Sequence, residues 1–163
     1  MPRFLSLLAP GVCLALGLGA ALSATPARAQ SETLYTLETT CALDGGAAQP
    51  CMVEAMEDED VTTYRHTIGE RTETIRISEK PVRMGRQDGD DTWVFLSSAA
   101  VRFSTNTVCF NGTDLCVVNP NYLNSIREEN PEGTQGRDLL RVLFGDDGRV
   151  VLACFDEGCE EVE

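Results

Sequence analysis

Apolar residues in this chain recur mainly at every second position, in short runs separated by Gly, Asn, Asp and Pro. That two-residue period is the mark of half-buried strands rather than helices. In residues 31–40, Leu34, Tyr35 and Leu37 fit a first strand. A loop from Cys41 to Cys51 and a short strand over 52–55 follow. The run Glu57-Asp58-Glu59-Asp60 carries like charges, so it must face water and makes a turn. Segments 61–68 and 71–77 are rich in β-branched residues and separated only by Gly69-Glu70. Glycine at the first central position is what a type II′ turn requires, so the two segments form a tight hairpin. Its register puts Tyr64, Ile68, Ile75 and Ile77 on one face and Thr63, Arg65, Thr67, Thr72, Thr74 and Arg76 on the other.

Residues 81–84 continue as an irregular edge, and 87–91 are a loop. Segment 92–96 is strongly β-forming and holds the sole tryptophan, Trp93, expected in or beside the core. Strands over 101–103, 107–110 and 115–118 come next, the last two flanking Asn111-Gly112, which tolerates the positive φ of a hairpin turn. A helix is predicted from Pro120 to about Glu129, capped by Asn119 and stopped before Pro131, with Tyr122, Leu123 and Ile126 forming a narrow apolar stripe. After a loop over 130–137, segments 139–144 and 149–155 make a closing hairpin around Asp146-Asp147-Gly148. Both faces of this hairpin are largely apolar, so it is expected at the centre of the sheet; the tail from Glu160 is expected to fray. About nine short strands and one helix give a β-rich domain, mainly antiparallel: a twisted sheet, a sandwich or an incomplete barrel.

The amino-terminal pattern differs. After Arg3 an apolar run extends from Phe4 to Leu22, followed by Ala27-Arg28-Ala29, small residues at alternate positions that suit signal peptidase. Residues 1–29 therefore read as a signal peptide, and 30–163 as a single secreted or periplasmic β-rich domain. Pro10 within the run and the Ala-x-Ala site argue against a retained membrane anchor. The formal net charge is −13, and loss of Arg3 and Arg28 makes the mature chain more negative still. So acidic a domain is a poor partner for nucleic acid or anionic lipid; a basic protein or a small molecule fits better.

Of seven cysteines, Cys13 lies in the leader. The remaining six pair by proximity as Cys41 with Cys51, Cys109 with Cys116 and Cys154 with Cys159, each interval holding the turn residues that let its ends return. Fifteen connectivities are formally open. A thiolate metal site is disfavoured because no second closely spaced pair completes it, and no Cys-x-x-Cys is present. The acidic turns Asp88-Gly89-Asp90-Asp91 and Asp146-Asp147-Gly148 lack the spacing that wraps calcium and read as surface turns. No cofactor is called for.

The segments Asn106-Thr-Val-Cys109-Phe-Asn-Gly-Thr-Asp-Leu-Cys116, Asn119-Pro-Asn-Tyr-Leu-Asn-Ser-Ile126 and Ala153-Cys-Phe-Asp-Glu-Gly-Cys159 resemble a family of uncharacterised secreted proteins from cyanobacteria. The resemblance covers most of the mature chain. It implies a bacterial periplasmic or extracellular setting and no particular activity.

Catalytic constellations are scarce. His66 is the sole histidine, no Gly-x-Ser-x-Gly occurs, and the cysteines are better explained as bridged. Glycine-rich phosphate loops are absent. These features point away from an enzyme and toward a disulfide-stabilised binding or inhibitor module with an acidic surface. The alternative is a secreted hydrolase acting through carboxylates. If Gly69-Glu70 is the turn, His66 lies opposite Glu73, and a carboxylate that close is expected to raise the imidazole pKa.

Overall fold

The computed structural model describes residues 31–89 and 92–162. The signal-peptide reading and Asp90-Asp91 of one acidic turn fall outside the described residues. The first half is a meander in which each strand pairs antiparallel with the next: β1 (Glu32–Leu43), β2 (Gln49–Asp58), β3 (Val61–Ile68), β4 (Arg71–Glu79), β5 (Val82–Gln87) and β6 (Trp93–Phe95). The second half comprises β7 (Ser98–Arg102), β8 (Thr107–Phe110), β9 (Leu115–Val118), helices α1 (Pro120–Glu129) and α2 (Pro131–Thr134), then β10 (Leu139–Phe144), β11 (Val150–Phe155) and β12 (Gly158–Glu161).

All twelve strands form one sheet in the order β12-β11-β10-β7-β8-β9-β1-β2-β3-β4-β5-β6. Two pairings are non-sequential: β1 with β9 and β10 with β7. The sheet curls into a half-barrel, the incomplete-barrel form of the three architectures expected. Its two arms approach each other. Arg83 of β5 makes an isolated antiparallel bridge with Arg149 just before β11.

Alternation decides which residues fill the interior. Val53 and Ala55 of β2, Tyr64, His66 and Ile68 of β3, Ile75 and Ile77 of β4, Met84 of β5, Ala99 and Val101 of β7, Val108 and Phe110 of β8, and Leu115 and Val117 of β9 are all buried. The helix α1 packs its apolar stripe onto this surface through Tyr122 and the fully buried Leu123. Asn119 starts it: the side-chain oxygen accepts the Tyr122 N–H at 3.1 Å, with Pro120 in the first turn, where a missing N–H costs nothing.

Several sequence expectations are corrected. Residues 82–87 are a full strand rather than an irregular edge, because they pair with β4 on one side and with β6 on the other. The closing hairpin lies toward one end of the sheet, not at its centre. Beyond it the tail is ordered as β12, held to β11 by the Cys154–Cys159 bridge between directly opposed residues. The 130–137 loop contains a short helical turn, because the Asn130 side chain accepts the Gly133 N–H at 3.0 Å. Trp93 is half-buried beneath the Arg76 guanidinium, 4.4 Å from its ring centre, on the side of the sheet away from Ile75 and Ile77.

Candidate functional site: an apolar cavity beneath the helix

Between α1 and the concave face of the sheet lies a cavity of about 250 Å³. Tyr64, Ile77, Met84, Val101, Val108 and Tyr122 are among the buried residues that line it, with Leu140, Val142 and Val150 contributed by the opposite arm. It is therefore built where the half-barrel's two arms and the helix meet. Its lining is overwhelmingly apolar. An engineered apolar cavity of about 150 Å³ already takes up benzene, so a space of this size can hold a larger ring or a short alkyl chain.

One wall is a tyrosine cluster. The Tyr64 and Tyr122 rings meet edge-on, their centres 5.4 Å apart at 71°, a geometry that sets a positive ring edge against a negative face. Burial holds both phenols well above their ordinary pKa, so they are neutral. Asn119 ties the cluster to the helix cap. While its oxygen accepts from Tyr122, its Nδ2 donates to the Tyr35 hydroxyl at 3.1 Å. Burial raises the Tyr35 pKa as well, and hydrogen bonds to Asn119 and Tyr64 partly offset that rise.

The opening is polar. Glu79 at the end of β4 and Glu129 at the end of α1 both line the cavity and both reach solvent. Partial burial raises the Glu129 pKa, and the negative charges of Glu79 and Glu128 add to the rise. Neither carboxylate is a candidate site residue in the sequence reading, yet both positions were legible. Glu79 continues the alternation of Ile75 and Ile77, and Glu129 lies three residues beyond Ile126 and seven beyond Tyr122 on the same helical face. A charge that falls on an apolar face signals a pocket rim.

The His66–Glu73 pair stands in the expected register, opposed across β3 and β4, but its chemistry is different. His66 is 1% exposed. Its Nδ1 lies 3.2 Å from the Glu73 backbone carbonyl. A carbonyl can only accept, so Nδ1 carries the proton of the neutral ring. The Glu73 carboxylate turns instead to the Arg71 guanidinium at 3.0 Å. Burial accordingly pushes the His66 pKa down to about 4, partly opposed by the hydrogen bond to Glu73, where a rise was expected. His66 does not line the cavity; it packs beside Phe110, ring centres 6.4 Å apart.

Disulfides join Cys41 to Cys51, Cys109 to Cys116 and Cys154 to Cys159. They are structural: each staples neighbouring strands, and none lines the cavity. Their presence fits an oxidising compartment. Asp147 of the second acidic turn serves the turn itself, its Oδ1 accepting the Arg149 N–H at 3.0 Å. Among the described residues, no cluster of three or more His, Cys, Asp or Glu could hold a metal ion, and no helix is long and apolar enough to cross a membrane.

Compared with known proteins, the chain matches no family model, no curated protein and no solved structure.

Proposed function

We propose that this protein is a secreted, disulfide-stabilised binding module that takes the apolar part of a small molecule into the cavity beneath α1. The observation that carries the reading is the cavity itself, a concave apolar space with a few polar groups confined to its opening, the usual form of a small-molecule site. The curled sheet supplies a preformed wall, and the three bridges limit how far the strands can relax to fill the space. A hydrolase acting on glycans through carboxylates is poorly served here. Such an enzyme needs hydrogen-bonding groups along its cleft to hold a hydrated sugar, and the deeper lining consists of aliphatic and aromatic side chains.

The test is a titration of mature protein with the neutral fluorophore N-phenyl-1-naphthylamine. Wild type should enhance its emission saturably, with one site per chain. Val142→Phe, which places a ring into the cavity from β10, should keep the wild-type circular dichroism and lose the enhancement. Equal enhancement in the two proteins would place dye binding elsewhere and refute the reading.

A further inference from the structure

The proposed cavity has a charged mouth of one sign, and we propose that its ligand is an amphiphile whose apolar body fills the cavity and whose terminal cation, an amine or quaternary ammonium, sits between Glu79 and Glu129. This inference rests on the binding reading above and names the ligand class. The side chains lining the cavity include two carboxylates and no Lys, Arg or His. Among the described residues, no ion pair joins Glu79 or Glu129 to a basic side chain. The nearby cations are committed or aimed elsewhere. Arg127 lies over the Phe103 ring at 4.5 Å and donates to the Phe103 carbonyl at 3.4 Å. Lys80 follows Glu79 in sequence and is exposed, but it does not line the cavity.

Two carboxylates brought to one opening repel each other, and the pKa of Glu129 is raised first by partial burial and then by the neighbouring charge of Glu79. A cation between them would turn a repulsive pair into two charge-assisted contacts in a partly dry setting, where such contacts are stronger than in water. An anionic head group would meet the opposite effect, so a fatty acid is a poor fit for this mouth although its chain would suit the interior. Tyr64 and Tyr122 lie deeper and are neutral, which suits them to the apolar body rather than the head.

The experiment uses three probes with the same chain and different heads: decylammonium, 1-decanol and decanoate. Each is titrated at neutral pH, below its aggregation concentration, against protein loaded with N-phenyl-1-naphthylamine. Decylammonium should displace the dye at about tenfold lower concentration than decanol, the scale of a hydrogen bond to a charged group, with decanoate weakest. Raising salt from about 0.05 to about 0.5 M should narrow the interval between amine and alcohol. In Glu79→Gln/Glu129→Gln the amine and the alcohol should become equal, while decanol is unchanged. Glu38→Gln/Glu70→Gln, which removes two exposed carboxylates that do not line the cavity, one on the outer face of β1 and one in the β3–β4 turn, should keep the wild-type order.

Equal displacement by amine and alcohol in wild type would overturn the cationic-head proposal and leave the cavity reading standing. Loss of the preference in the Glu38→Gln/Glu70→Gln control would overturn it too, by assigning selection to overall acidity. Failure of the dye and of all three probes to bind would instead remove the binding reading itself. Sedimentation equilibrium covers the remaining occupant: a dimer whose dissociation uncovers the dye site would put a second copy of this chain in the groove and overturn the proposal.

Discussion

Acid should destabilise this protein through one buried imidazole. His66 is enclosed by the sheet and neutral, with its Nδ1 proton on the Glu73 carbonyl, and its folded pKa lies at about 4 against an ordinary value of 6.5. The unfolded chain therefore takes up a proton as pH falls below about 6.5, while the folded protein resists doing so until about 4. Stability from this group is complete above the unfolded pKa, declines through that window and levels off below it. A separation of roughly 2.5 pH units at 1.36 kcal/mol each sets a ceiling of about 3 kcal/mol, most of it already lost near pH 4.5. Urea midpoints measured from pH 7.5 to 4 on wild type and His66→Leu would isolate the effect. The leucine variant should start about 1 kcal/mol lower, having lost a hydrogen bond, and its deficit should vanish and then reverse as pH falls. Because the chain has one histidine, NMR of untagged protein reads the titration directly, and Glu73→Gln should leave the midpoint in place. A midpoint at or above 6.5, or parallel stability curves for the two proteins, would refute the buried-neutral assignment.

Three further outcomes are expected. Asn119→Ala should cost about 2 kcal/mol in urea unfolding, toward the upper end for a helix cap, because the substitution also strips the half-buried Tyr35 hydroxyl of a donor; Asn130→Ala at the short α2 should cost less than half of that. Leu123→Ala, at a position with 0% exposure, should cost about 3 kcal/mol and also weaken dye binding, since α1 would seat less firmly over the cavity. Chain entropy alone gives similar values for the bridges, about 2.7 kcal/mol for the loop closed by Cys41–Cys51 and about 2.1 for that closed by Cys154–Cys159. The first pair is buried and the second largely exposed, so replacing the first by alanines should lower the melting temperature clearly more; equal losses would mean that burial adds nothing.

Local chemistry was readable in the sequence, and long-range pairing was not. The β3–β4 hairpin was legible because Gly69-Glu70 demands one turn and the alternation around it demands one register; Gly69 indeed has φ +59°. The helix was legible from Asn119, Pro120 and Pro131, and the bridges from turn residues between near cysteines. Nothing local tells β1 to pair with β9, or β10 with β7, because those contacts are selected by burial of faces far apart in sequence. The same gap explains His66. Register placed Glu73 opposite it, but Arg71 decides where the carboxylate turns, and depth in the curled sheet decides the pKa. The tail misled for a related reason: Glu160 and Glu161 are polar enough to fray, yet the bridge at Cys159, immediately before them in β12, holds them in the ladder.

The locality of the three bridges bears on how the chain matures as it is made. Synthesis releases the amino end first, and β1 cannot find its second neighbour until β9 has emerged, more than seventy residues later. Each cysteine, by contrast, has its partner within one hairpin or loop. Every correct bridge can thus close as soon as its own segment is out, before the cysteines of the next segment exist to compete, so oxidation need not await completion of the sheet and the slow reshuffling of mispaired thiols is largely bypassed. By the time β9 docks on β1 through Cys41, Ala42 and Leu43, both sides of that seam are already stapled hairpins, one by Cys41–Cys51 and the other by Cys109–Cys116. Joining the halves is then an encounter of two prepared surfaces rather than of loose strands.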